Sequence, residues 1–158
     1  MPRLLSPAAA AAALAPQTAE VFVTLLRITA PGMETIRIAN DTQPVVRTGV
    51  TFQPYAFECE LPEDTSDWNG TIPLRIDNVD RQVSRIIRDY VGTPSCRIEV
   101  VLASSPNTPE MGPFDFDVLS ADIDDTSLVL TLGYSEGFLD QGFPAQTYTP
   151  SNSPGLFV

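Results

Sequence analysis

From Val21 onward the chain repeatedly alternates apolar and polar side chains with a period of two, and a segment with that period buries a single face only as a β-strand. Phe57, Cys59 and Leu61 alternate with Glu58 and Glu60, and Ile72, Leu74 and Ile76 alternate with Arg75 and Asp77. The same pattern runs through Cys96, Ile98, Val100 and Leu102, through Phe114, Phe116 and Val118 against Asp115 and Asp117, and through Leu128, Leu130 and Leu132. Residues 21–28 are apolar on both phases, which predicts a central strand buried on two sides. Ile36 and Ile38 follow across Pro31-Gly32, so residues 21–39 read as a hairpin that ends at Asn40-Asp41-Thr42-Gln43-Pro44. Pro73 predicts an edge position or an irregular start for its strand.

One segment departs from the alternation. Val79, Val83, Ile86, Ile87 and Tyr90 recur at spacings of three and four, the signature of one helix face. The helix is expected over about 77–91, capped by Asp77 or Asn78 and left at Gly92. The architecture implied is mainly β: an antiparallel β-sandwich or small barrel over residues 19–141, with this amphipathic helix covering one side.

The two ends differ from this middle. Residues 1–18 read as a helical arm, with Ser6 as N-cap, Pro7 at the first helical position, Ala8 to Ala15 as helix and Pro16 as stop. A secretory signal ending at Ala13-Leu14-Ala15 is the alternative, disfavoured because its apolar region is mostly alanine and Pro16 would follow the cut. No stretch has the apolar length of a membrane-spanning helix. Residues 142–158 carry three prolines and no charge, and read as an extended tail. Leu4, Leu5 and Leu14 in the arm and Phe143, Tyr148, Leu156 and Phe157 in the tail are the candidate contacts to partners.

Residue types restrict the chemistry. All nine basic residues are arginine, there is no histidine, and twenty acids set the formal charge at -11. A histidine base, a lysine Schiff base, a P-loop lysine and a histidine metal site are therefore excluded, and a phosphate backbone finds the wrong charge balance. No nucleophile has a base to activate it, so the reading is not an enzyme, and no cofactor is implied. Glu58, Glu60, Glu63 and Asp64 alternate as an outward strand face rather than a glycosidase pair. Arg81, Arg85 and Arg88 are interleaved with Asp77, Asp80 and Asp89, which predicts local ion pairing. All bases lie in residues 3–97, so one face or end should be electronegative; Asp115, Asp117, Asp122, Asp124 and Asp125 are its candidates. A calcium loop is the alternative for these five, but it ordinarily needs glycine or asparagine between the carboxylates. Cys59 and Cys96 fall on apolar phases, either as buried reduced thiols or as a disulfide between facing strands. Asn40-Asp41-Thr42 and Asn69-Gly70-Thr71 match glycosylation acceptors and read more simply as turns.

Several segments together resemble one family. They are Leu5-Ser6-Pro7-Ala8 leading to Glu20-Val21-Phe22, the Asn40-Asp41-Thr42 turn, Leu74-Arg75-Ile76-Asp77-Asn78-Val79-Asp80-Arg81, Glu99 to Ser104, and Phe143-Pro144-Ala145 through Pro154-Gly155-Leu156-Phe157. The family consists of small proteins of tailed phages and prophages catalogued as a domain of unknown function. In size and context it is similar to the minor tail proteins L and M of lambda-like phages. Larger relatives of protein L hold an iron–sulfur cluster through cysteines, which two cysteines here do not match. The resemblance implies a virion protein assembled in the bacterial cytoplasm: a tail-tip or baseplate ring of six copies, or of three. Its implied neighbours are the tail tube protein, the hub or central fibre protein and the tape measure protein. DNA would pass through an acidic lumen without specific binding, and no membrane insertion is implied. A secreted or cell-surface β-sandwich binding module and a tail-assembly chaperone are the alternative expectations.

Overall fold

The computed structural model describes residues 5–59, 71–78 and 81–133. Among these residues the elements run α1 (Pro7–Leu14), β1 (Phe22–Thr29), β2 (Ile36–Ala39), β3 (Val45–Arg47), β4 (Val50–Pro54), β5 (Phe57–Cys59), β6 (Thr71–Asp77), α2 (Gln82–Asp89), β7 (Ser95–Leu102), β8 (Ser105–Ile123) and β9 (Ser127–Gly133). The fold is mainly β, as the alternation requires. The strands form one sheet in the order β3-β4-β2-β1-β7-β8-β9-β6-β5. Every neighbouring pair is antiparallel except β2 with β4, which are parallel at Ile38–Gln53 and Ala39–Pro54.

The single sheet achieves a sandwich-like core because β8 belongs to two halves. Ser105–Asp117 pairs with β7, and Asp117–Ile123 pairs with β9. One buried cluster then takes Leu26, Ile28, Ile36 and Ile38 from one half and Phe57, Leu74, Ile76 and Leu130 from the other. The inner face of the sheet is therefore curled onto itself. Helix α2 adds Val83 and Ile87 to the same cluster. Leu26, Leu74, Ile76, Ile98, Leu128 and Leu130 are fully buried, and truncating such a side chain to a methyl group costs about 2–5 kcal/mol.

The opposite face of β1 carries a second, smaller core of Val23, Leu25, Ala39, Val45, Phe52 and Val101. The β3–β4 hairpin contributes Val45 and Phe52 to it. This hairpin was not among the expected strands, although its turn is legible. Thr48 and Gly49 stand at φ 47° and 78° between the paired Arg47 and Val50, a two-residue turn whose positive angles suit glycine at the second place. The Arg47 guanidinium donates to the Glu99 carboxylate of β7, and the Thr48 amide donates to Asn107 Oδ1 at 2.8 Å. These contacts fasten the hairpin over the upper part of the face.

Three expectations need correction. Helix α2 spans Gln82–Asp89 rather than 77–91, and neither Asp77 nor Asn78 caps it; its N-cap is Arg81, at φ 56°. Asp77 instead ends β6 opposite Ser127, and the buried Asn78 amide donates to the Asp124 carbonyl at 2.7 Å. Strand β6 lies inside the sheet, although at Pro73 the described pairing is to Thr131 of β9 alone. The strand expected around Phe114–Val118 extends over 19 residues, through Pro106, Pro109 and Pro113, because its register with β7 shifts three times and absorbs them.

Candidate functional site

The outer face of the sheet below the hairpin is where the charged side chains gather. The alternation that sends Leu26, Ile28, Ile36, Ile38, Cys96 and Ile98 inward leaves Arg27, Thr29, Arg37, Ser95 and Arg97 on the other side. Register then aligns three arginines across adjacent strands: Arg37 pairs with Arg27, and Arg27 pairs with Arg97. Arg97 in turn lies opposite Asp115 on β8. Strands are about 4.8 Å apart, so the row is a continuous ladder of three cations ending on a carboxylate.

Its members are matched unequally. Arg97 donates Nε to Asp115 Oδ1 at 2.6 Å and Nη2 to Asp115 Oδ2 at 2.9 Å, a bidentate pair. That hydrogen-bonded carboxylate holds the Arg97 guanidinium above its ordinary pKa. Arg27 and Arg37 are half-buried, and neither has an ion pair with another described residue. Like charges directly opposite one another on a sheet repel. Two shallow clefts of about 210 and 280 Å³ both have Arg27 and Arg97 in their walls.

The acidic candidates continue the same face. Asp115 and Asp117 point outward between the buried Phe116 and Val118. The register shift between Val118 and Ser120 inserts one residue, which returns Asp122 to the outward phase opposite Val129. Asp115 and Asp117 therefore flank the arginine ladder, and Asp122 shares their outward phase further along β8, where the strand pairs with β9. Asp124 and Asp125 sit beyond it in the β8–β9 turn, where Asp125 accepts from Arg81 Nη2 at 3.1 Å. Arg81 thus pairs with a residue 44 positions away, beyond its own segment, of which Asp80 lies outside the described residues. The alternation exposed each arginine's polar phase, but the ladder exists only through strand register, which no single segment encodes.

At the other end of β8, helix α1 lies against the domain. The Ser6 amide and hydroxyl both donate to the Glu110 carboxylate, at 2.8 and 2.7 Å, while Ser6 Oγ accepts from the Ala9 amide at 3.1 Å. Ala9 and Ala12 are buried, whereas Leu14 is 87% exposed and Leu5 37%. Leu4, Phe143, Tyr148, Leu156 and Phe157 lie outside the described residues.

Cys59 and Cys96 are both thiols and both pack on the inner core; no disulfide joins them. Burial pushes the Cys96 thiol well up, with Cys59 and Asp115 adding to the effect. Among the described residues no three histidine, cysteine, aspartate or glutamate side chains converge as a metal site, and no helix is long and apolar enough to cross a membrane. What this surface offers chemically is ion pairing over a rigid sheet.

Residues 8–148 match the family model DUF1833, described as a domain of unknown function. No curated protein matches the chain.

Proposed function

We propose that this chain, which belongs to the DUF1833 family, is a structural subunit of the tail tip of a tailed phage or prophage. In this reading it forms a ring of six copies, or of three, between the tail tube and the hub or central fibre. The segment Leu74 to Arg81 is the most specific part of the resemblance that leads there. The observation that carries the reading is the outer sheet face, where Arg37, Arg27 and Arg97 run up to Asp115 and Asp117, with Asp122 further along β8. A ring part works by rigid complementary surfaces, and this face is charged, shallow and mounted on a sheet with cores on both sides. The exposed Leu14 and Leu5 of α1 add an apolar contact to a neighbour. A formal charge of -11 per copy keeps passing DNA from adhering, and the tape measure protein would thread the same opening.

Mass spectrometry and electron microscopy of purified particles, released by inducing a host that carries the gene, test this. The protein is expected in purified particles, in a fixed number per tail divisible by three, at the end distal to the capsid. Its presence in the lysate but not in particles would refute the reading and favour an assembly chaperone.

A further inference from the structure

We propose that the arginine ladder is the contact by which one copy of this chain holds the next, with Arg27 and Arg37 of one copy taking Asp122 and Asp124 of its neighbour. The inference rests on the ring reading only in expecting copies to touch; the surface argument is independent of any phage. Arg27 and Arg37 sit directly opposite each other on neighbouring strands, half-buried, without an ion pair among the described residues. Arg97, the third cation, is already held by Asp115. Partly desolvated cations side by side raise the energy of the isolated chain, and an anion placed over them lowers it.

The other half of the sheet supplies the matching anions. Asp122 is exposed on the outward phase of β8, and Asp124 is exposed in the turn that follows. Leu119, 44% exposed at the irregularity between Asp117 and Asp122, gives this side an apolar element. A chain with cations on the outer side of one half and anions on the outer side of the other joins head to tail, each copy laying its Arg27 and Arg37 on the Asp122 side of the next, which is the heterologous contact a ring requires. A chain of formal charge -11 repels its own copies at long range. Association through local pairs therefore has a non-monotonic salt dependence. Moderate salt, with a screening length of about 8 Å, suppresses the net repulsion more than the short contacts, whereas about 1 M salt screens to 3 Å and weakens the pairs themselves.

The test is a charge swap on the full chain, read by sedimentation and native mass spectrometry. One variant carries Arg27→Glu and Arg37→Glu; the other carries Asp122→Arg and Asp124→Arg. Each alone is expected to weaken self-association on the order of a hundredfold, and an equimolar mixture of the two is expected to restore it as mixed assemblies. Circular dichroism at a dilution where wild type and variants are all monomeric, with an unchanged unfolding midpoint, shows that each variant folds. A wild-type chain monomeric up to millimolar concentration, or a mixture no stronger than its components, overturns the proposal. If charge reversal at Arg27 and Arg37 instead lowers the unfolding midpoint independently of concentration, their partner is an acid of the same chain and the proposal falls. Failure of the tail reading is seen separately, as absence from particles, and leaves this contact standing.

Discussion

Replacing Ser6 by alanine tests whether α1 is held to the domain by a single fastening. The hydroxyl makes two bonds: it donates to Glu110 Oε1 at 2.7 Å and accepts from the Ala9 amide at 3.1 Å. A hydrogen bond to a charged group contributes about 1.5–3 kcal/mol, and loss of an N-cap serine costs about 1 kcal/mol. The Ser6 amide bond to Glu110 survives the substitution, so the expected loss is about 2–4 kcal/mol. Little else opposes release. The helix has eight residues and buries only Ala9 and Ala12, each methyl being worth about 1 kcal/mol. So short a helix does not persist alone in water. The loss should therefore appear as local opening, on the order of 30- to 1,000-fold in the opening equilibrium. Hydrogen exchange resolved to peptides reads it directly. The amides of Ala10 and Ala15, bonded to the Ser6 and Ala11 carbonyls, should lose protection by that factor, while amides of β7 stay unchanged. Glu110→Gln should cost less, about 1 kcal/mol, because the amide can accept from the Ser6 N–H and donate to Ser6 Oγ as a neutral pair. Equal protection of α1 in wild type and Ser6→Ala, or a matching loss in β7, would refute the reasoning.

Two further outcomes follow from the strand geometry and the inner core. Gly112 stands at φ 90°, and a Cβ built there lies 2.8 Å from the Ile98 carbonyl oxygen and 3.1 Å from the Phe114 nitrogen, both backbone atoms. Gly112→Ala should thus destabilise by at least about 2 kcal/mol, lowering the thermal midpoint by about 4 °C or more; an unchanged midpoint would show that the strand is free to shift. Cys96 concerns pH: its thiol is raised above the ordinary 9.0 chiefly by burial. Below pH 9 the thiol is protonated both folded and unfolded and has no effect. Above it the unfolded chain ionises first, so stability falls with a slope approaching about 1.4 kcal/mol per pH unit. Denaturant titrations should give a flatter decline for Cys96→Ala between about pH 9 and 10.5, and parallel declines would refute the assignment.

The strands that alternation announced are those whose burial depends on one face alone. Ile72, Leu74 and Ile76, or Leu128, Leu130 and Leu132, need no knowledge of their neighbours to be read as inward. The β3–β4 hairpin escaped because Val45-Val46-Arg47 and Val50-Thr51-Phe52 are too short to establish a period; its signal was Thr48-Gly49 between two β-favouring triplets. The first half of β8 escaped because Pro106, Pro109, Gly112 and Pro113 interrupt any period of two, and the three register shifts that accommodate them depend on the partner strand. The start of α2 was misplaced for a similar reason. Asn78 has the side chain of a cap, but the β8–β9 turn claims it first. Local preference proposes a bond, and the tertiary partner decides who makes it.

The same logic refines the expectation of one electronegative face or end. Glu110 and Glu99 are spent inside the chain, the first receiving the start of α1 and the second holding the β3–β4 hairpin through Arg47. Asp115 and Asp125 each answer one arginine, Arg97 and Arg81, of which the latter pair is almost wholly in solvent and worth at most about 1 kcal/mol. Asp122 and Asp124 then remain as exposed carboxylates without an arginine among the described residues on the β8–β9 side, Asp124 accepting from the Asp125 amide, while Arg27 and Arg37 remain on the β1–β2 side. The net charge of the chain and the charge of its working face are therefore different quantities. The first governs how copies repel at a distance; the second, set by register across β2, β1, β7 and β8, governs how they fit once they meet.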